Sequence, residues 1–236
     1  MDSGPEPAWE WPNSAKAAVS ITYDGGDRSH LEFAAPLLEQ VSIPATFFVP
    51  GGVFVEEVAT WRAMKALGHE IGNGALCDWF GWMAMEPGQV EEWVVSELKF
   101  TEQALAEGLG AKPASAAIPW VERDNACVDQ VTEFMRGSQV FVRSGIEGYN
   151  NPFTCDLRRA LCIPCDGFDD AELVALCQSG MLRGAWTIFS FCGIGCGEPS
   201  VDRHAHDALI GHLCDRKSEY WVATFERVAT HIALKR

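Results

Sequence analysis

Asp24 is the residue of this chain best placed to do chemistry. It closes the apolar, β-branched run Val19-Ser-Ile-Thr-Tyr23, and Gly25-Gly26 follow at once. Such a run reads as a buried strand and the glycine pair as a turn, so the carboxylate stands at a strand tip. In α/β sheets and barrels the strand ends, and the loops after them, carry the reacting groups. Alternation along the strand puts Ser20, Thr22 and Asp24 on one face and Val19, Ile21 and Tyr23 on the other. The apolar face is the one that meets surrounding helices. Asp24 then points into a barrel mouth, as a general acid or base or as a plain turn cap. A second acid, Asp166, ends the strand-like run 161–165, and Arg143 ends a run over 139–143. Arg143 could hold a substrate carboxylate or carbonyl, or neutralise Asp24 or Asp166. The loop Glu147-Gly-Tyr149-Asn-Asn151 is expected at the same mouth, with Tyr149 as a ligand contact. Cys162-Ile-Pro-Cys165 has the spacing of a metal or redox pair, but on a strand an offset of three sends the two thiols to opposite faces.

The elements that must position these groups alternate along the chain. Strand-like segments are expected at 18–24, 45–49, 69–73, 115–119, 139–143, 161–165, 186–192 and 220–223. Helical segments are expected at 29–41, 57–67, 89–107, 125–136, 169–179, 202–215 and 224–234. The 89–107 helix carries Val90, Trp93, Val94, Leu98, Thr101 and Leu105 at spacings of three and four. Strand and helix in regular alternation make parallel βα units. Seven or eight units in 236 residues imply a closed or nearly closed barrel, one domain over residues 17–236. Residues 1–16 read as an irregular lead-in, with Trp9 and Trp11 placed to cover a barrel end.

The totals narrow the partners. A net charge of −15 opposes binding to nucleic acid or to an anionic membrane surface. No run approaches the roughly 18 apolar residues of a membrane span. The first residues, Met-Asp-Ser-Gly-Pro-Glu-Pro, have neither the basic nor the apolar part of a signal peptide. Nine cysteines, an odd number in no framework of pairs, suit a reducing compartment. The expectation is a cytoplasmic protein with a soluble small-molecule partner, of oligomeric state that the sequence does not set.

Thr22-Tyr-Asp-Gly-Gly26, a helix-length segment and Ala45-Thr-Phe-Phe-Val49 together resemble the first motif of the polysaccharide deacetylase family (NodB homology, carbohydrate esterase 4). That motif reads T-F/Y-D-D-G, a helix, then K/P-A-T-F-F. The resemblance continues at Gly68-His-Glu-Ile-Gly-Asn73, at Trp186-Thr-Ile-Phe-Ser-Phe191 before Gly193-Ile-Gly195, and at Trp221-Val-Ala-Thr-Phe225. It implies a distorted (β/α)7 TIM-like barrel in which Asp24 matches the general base. The family's metal ligands are changed: the Asp is Gly25, and the two histidines of the second motif are Gly74 and Asp78. Asp78, with Cys77, is all that is left, whereas zinc needs about three protein ligands beside its open position. The resemblance therefore implies a barrel with no catalytic metal, and no other cofactor is expected.

The family's catalytic histidine before G-I-G is Cys192 here, a nucleophile or a small buried hydrophobe. His69 belongs to a structural part of the second motif, and His206 matches a family histidine at the start of the late helix. Trp79, Trp82 and Trp120, with Asp78 among them, fall on loops at the mouth where the family places substrate. Rigid aromatic walls there suit a flat, apolar or aromatic molecule. The reading is a metal-independent enzyme using Asp24 as acid/base on a small hydrophobic, secondary-metabolite-like substrate. Its reaction would be amide or ester hydrolysis, isomerisation or cyclisation. The alternatives are a non-catalytic relative that binds a ligand or partner, and an atypical sugar N-deacetylase.

Overall fold

The apolar runs become strands that lie side by side, because each carries one face toward helices and one toward its neighbours across a ring. The computed structural model describes residues 9–75, 77, 87–118, 141–195, 197 and 199–236. Its strands are β1 Ala17–Asp24, β2 Thr46–Val49, β3 Glu70–Asn73, β4 Ser115–Ile118, β5 Phe141–Glu147, β6 Ala160–Pro164, β7 Trp186–Phe191 and β8 Tyr220–Val222. Strands β1 to β7 follow one another in sequence order around a closed, parallel barrel. The ring closes where β7 pairs with β1, from Ala18↔Trp186 to Tyr23↔Phe191. On its other side β1 has two partners in succession. Its first half pairs with β8 (Ala17↔Tyr220 to Val19↔Val222) and its second half with β2 (Thr22↔Thr46 to Asp24↔Phe48). β8 is thus a wedge at the barrel base, filling the gap where β1 and β2 splay. This is the distorted (β/α)7 barrel.

The helices are α1 Ala35–Val41, entered through a π-helical turn His30–Ala34, then α2 Gly51–Glu56, α3 Val58–Ala66, α4 Pro87–Leu109, α5 Asp170–Leu182, α6 Arg203–Asp215 and α7 Phe225–Lys235. Local chemistry fixes several of their starts. Asp169 and Glu172 form a reciprocal capping box on α5, while Asp202 and Thr224 accept backbone N–H groups at the starts of α6 and α7. Among the described residues no helix is long and apolar enough to cross a membrane. The expected helix at 125–136 lies outside the described residues.

Two apolar layers result from the period-two alternation. Val19, Ile21 and Tyr23 of β1 pack outward with Leu38, Phe47, Trp61, Leu173 and Leu209. Ala18, Phe48, Ala117, Cys162, Trp186, Ile188 and Phe225 fill the inside and base. Cys162 and Cys165 fall in different layers, the first inside and the second among the helices. Trp11 packs on Trp221 and donates its indole N–H to the Gly184 carbonyl, covering the base.

Two expectations change here. The fifth strand begins at Phe141 and runs to Glu147, so Arg143 lies near its start and not at its end. The segment after it does not project at the mouth. It runs back outside the barrel, where the Asn150 backbone pairs antiparallel with Trp186 at the start of β7. The Asn150 side-chain amide meanwhile donates to the Leu161 carbonyl and accepts from the Leu161 N–H. One asparagine thereby bridges β6 and β7 where neither reaches the other.

Candidate active site

Asp24 ends β1 facing inward, and the side chain that meets it comes from across the barrel. Arg143, inward-facing on β5, donates from Nη2 to both carboxylate oxygens, at 2.7 Å to Oδ1 and 2.6 Å to Oδ2. Its Nη1 donates to Ser190 Oγ at 2.7 Å and to Cys162 Sγ at 3.4 Å. Ser190 in turn donates to Asp24 Oδ2 at 2.8 Å. The guanidinium lies over the Phe48 ring, 5.3 Å from its centroid. Asp24 is 6% exposed and Arg143 1%, so this is a buried ion pair. Burial works against the charge of Arg143, but Asp24, with the Cys162 and Cys77 thiols around it, more than offsets that and holds the guanidinium above its usual value. Of the roles open to Arg143 from sequence, the structure shows its pairing with Asp24, not Asp166.

Register places three strand-end groups on one level. Tyr23 is opposite Phe191 and Pro164 is opposite Ser190, so Asp24, Cys192 and Asp166 stand on one rung at the tips of β1, β7 and β6. Alternation turns Asp24 inward, and Cys192 and Asp166 stand just beyond the ends of their strands. The Cys192 backbone N–H donates to Asp166 Oδ1 at 3.3 Å. Burial pushes the Asp166 carboxyl above the usual range and the charge of Asp24 adds to it, against hydrogen bonds from Cys192 and Gly193. Burial, then Asp24 and Asp166, pushes the Cys192 thiol far up as well. A neutral thiol is the form this setting favours, and the thiolate that a nucleophile needs is not.

The metal implied by the family resemblance can be tested against the two glycines. Gly25 has φ +84°, a left-handed conformation that suits glycine, and a Cβ there would touch the Cys77 carbonyl oxygen at 3.9 Å and Cys77 Cβ at 4.0 Å. Those are ordinary contacts, so at Gly25 it is the backbone conformation that opposes a ligand side chain. At Gly74 there is no room at all, since a Cβ would lie 2.3 Å from the Phe48 carbonyl carbon and 2.5 Å from the Val49 nitrogen. A histidine at 74 would require β2 and β3 to move apart. Among the described residues no group of three His, Cys, Asp or Glu side chains could hold a metal ion. The residues present do not fit the metal.

Tyr149, expected at the mouth, and His206, matched to a family histidine, both lie away from it. Tyr149 packs in the outer layer, donating to the Leu176 carbonyl of α5 at 3.0 Å, with Arg183 over its ring at 5.0 Å. His206 is fully buried between α6 and the outer face of β1, its Nε2 2.8 Å from the Tyr23 hydroxyl and its Nδ1 3.0 Å from Asp207. Asp78, Trp79, Trp82 and Trp120 lie outside the described residues. Ser190 was not anticipated. Its signal was available, because it stands two residues before Cys192 on the inward face of β7.

A family model described as polysaccharide deacetylase matches residues 12–134, just over half of the chain. No curated protein matches the sequence. Among solved structures, one from Pseudomonas aeruginosa PAO1 described as a polysaccharide deacetylase superposes with a TM-score of 0.64 at 17% identity, covering 99% of this chain and 96% of that one. A family 4 acetyl xylan esterase from Clostridium thermocellum, in complex with a cobalt ion, gives 0.60 at 20% identity over 93% and 96%. Puue allantoinase gives 0.63 at 17% identity over 99% and 95%. At such identities the likeness is one of fold. The sequence match covers the part of the barrel that holds Asp24 and the Gly68–Asn73 motif, and on that ground the chain belongs to the polysaccharide deacetylase family.

Proposed function

We propose that this chain is a metal-independent hydrolase of its family, acting on an amide or ester of a small, apolar or aromatic molecule, with Asp24 as the acid/base group. One observation carries the reading: a fixed guanidinium lies against Asp24, beside two glycines where ligands would otherwise stand. Arg143 keeps Asp24 oriented, and Ser190 holds one of its oxygens. An ionised carboxylate has about four acceptor sites, and three are used by these donors, which leaves one for a water or substrate proton. The Nη groups of Arg143 already serve Asp24, Ser190 and Cys162, which leaves its buried Nε–H as the donor without a partner among the described residues.

A small substrate is supported by what surrounds the carboxylate. Among the described residues, thiols at Cys77 and Cys192 stand near it and the Phe48 ring lies against its arginine. The name of the allantoinase shows that this fold also serves an enzyme named for a small molecule. The seven described cysteines are all free, which suits the reducing cytoplasm expected from sequence. A second reading, a binding protein without catalysis, is favoured by the depth of the ion pair: a carboxylate 6% exposed and triply bonded also serves as a structural pin.

Hydrolysis of 4-nitrophenyl acetate and acetanilide, with and without a chelator, separates these readings. The expected result is turnover that survives chelation and falls about 10²-fold or more in Asp24→Asn. A stoichiometric transition metal whose removal abolishes activity sinks metal independence. Equal turnover by wild type and Asp24→Asn makes Asp24 a pin.

A further inference from the structure

We infer that Asp166 is the proton donor to the leaving group, working across one rung of the barrel from Asp24; this rests on the hydrolase reading above. The rung holds Asp24 on β1, Cys192 after β7 and Asp166 after β6, in that order around the ring. The two carboxyl groups therefore flank Cys192, two strands apart. Strands in a sheet lie about 4.8 Å apart, so the backbones at 24 and 166 are separated by roughly 10 Å.

Their surroundings divide the two roles. Asp24 is tied to Arg143, whereas among the described residues Asp166 makes no ion pair. Its contacts are Cys192 and the Gly193 backbone N–H, and it is only partly buried, so a bound molecule can reach it. Among the described residues, the charged and titratable groups around the rung are Asp24 and Arg143 inside the barrel, Cys192 and Cys165 on the adjoining strand tips, Cys77 on the turn over Gly25, and the buried His30 beside Asp24 and the Cys192 backbone. Burial and the charge of Asp24 both favour the protonated form of Asp166. A carboxylate held by a guanidinium and a second carboxyl that favours its proton divide into base and acid. Cys192, which stands where the family's acid would be, is too weakly acidic in this setting to do that work.

The step balances without a further reagent. Asp24 takes a proton from water as the water oxygen bonds to the acyl carbon. The bond from that carbon to nitrogen or oxygen then breaks, and the Asp166 proton goes to the departing atom. The products are a carboxylic acid and an amine or alcohol. Asp166 recovers its proton from solvent, and Asp24 releases the one it took.

Two probes with the same acetyl group test the assignment. 4-Nitrophenolate leaves as a stable anion and needs no proton, whereas the anilide nitrogen of acetanilide must be protonated to leave. Asp166→Asn should lose acetanilide hydrolysis about 10²-fold or more while keeping the nitrophenyl ester within about 3-fold. The ester rate also reports that the variant is folded. The fall of the acetanilide rate at high pH should disappear in this variant, and Asp166→Glu, which keeps a proton there, should restore part of the rate. Equal losses on both probes, or no loss on either, overturn the assignment and leave the hydrolase reading standing. A wild-type protein inert toward both probes overturns the hydrolase reading and this assignment together.

Discussion

Among the described residues two carboxyl groups are buried inside this barrel, one at each end, and they are held in opposite ways. Asp24 at the mouth has a guanidinium against both of its oxygens. Glu70 at the base, on β3, has only neutral donors: the hydroxyls of Thr46 and Ser115 and the backbone N–H of Glu226 in the first turn of α7. A cavity of about 170 Å³ opens beside Glu70 with Lys65 and Lys112 on its lining, but Lys112 pairs with Glu102 instead. The consequence is a difference in charge. Burial pushes Glu70 up to about 7, against its three hydrogen bonds, so near neutrality it readily keeps a proton. The mouth keeps a fixed pair of opposite charges, while the base keeps a carboxyl that can go either way. A buried acid's behaviour is set by whether its partner carries charge, not by depth alone.

The comparison breaks first at the mouth. Arg143→Met leaves Asp24 buried with one hydroxyl for company, and breaking a buried pair this way costs about 3–5 kcal/mol. Urea unfolding at pH 7 should show it, and a loss under about 1 kcal/mol would mean water reaches Asp24 freely.

At the base the effect depends on pH. The ordinary carboxyl value is 4.5 and Glu70 sits near 7. Between those values the folded chain keeps a proton that the unfolded chain has released. The stability linked to Glu70 is therefore complete below about 4.5 and is lost as pH rises through about 7, by roughly 3 kcal/mol in all. Glu70→Gln should flatten this slope. At pH 5, where Glu70 keeps its proton, the substitution should cost under about 1 kcal/mol, because the amide oxygen accepts from Thr46 and the Glu226 N–H while the amide N–H donates to the Ser115 hydroxyl. A slope unchanged by the substitution would assign it to another group.

The smallest effect belongs to Ser190. Ser190→Ala removes one hydrogen bond to Asp24 and one acceptor of Arg143, for about 1.5 kcal/mol, and should leave the salt bridge in place. A loss equal to that of Arg143→Met would mean that Ser190 orients the pair.

Much of the mouth was legible because a strand's alternation is local. The run 19–23 turned Asp24 inward, and the same rule separated Cys162 from Cys165. Arg143's partner was not legible, since it depends on which strand faces which across a closed ring. The fifth strand was misjudged because its second half, Ser144-Gly-Ile-Glu147, has no apolar run. The segment after it, including Tyr149, was placed at the mouth for want of any signal that the Asn150 amide could bridge two strands. His206 was read from a motif, and a motif does not say that Tyr23, on the outward face, would claim it.

The wedge strand β8 has a consequence in time. Its partner β1 is the first strand of the barrel, while β8 and α7 come from the end of the chain, as does Phe225, whose N–H bonds to Thr46 at the start of β2. Pairings so distant in sequence cost the most chain entropy and form late. During synthesis the first half of β1 must therefore wait, with one edge unpaired, until β8 has emerged. A nascent chain stalled before Tyr220 would present that open edge to its neighbours, and its aggregation would be a hazard of slow translation rather than of weak folding.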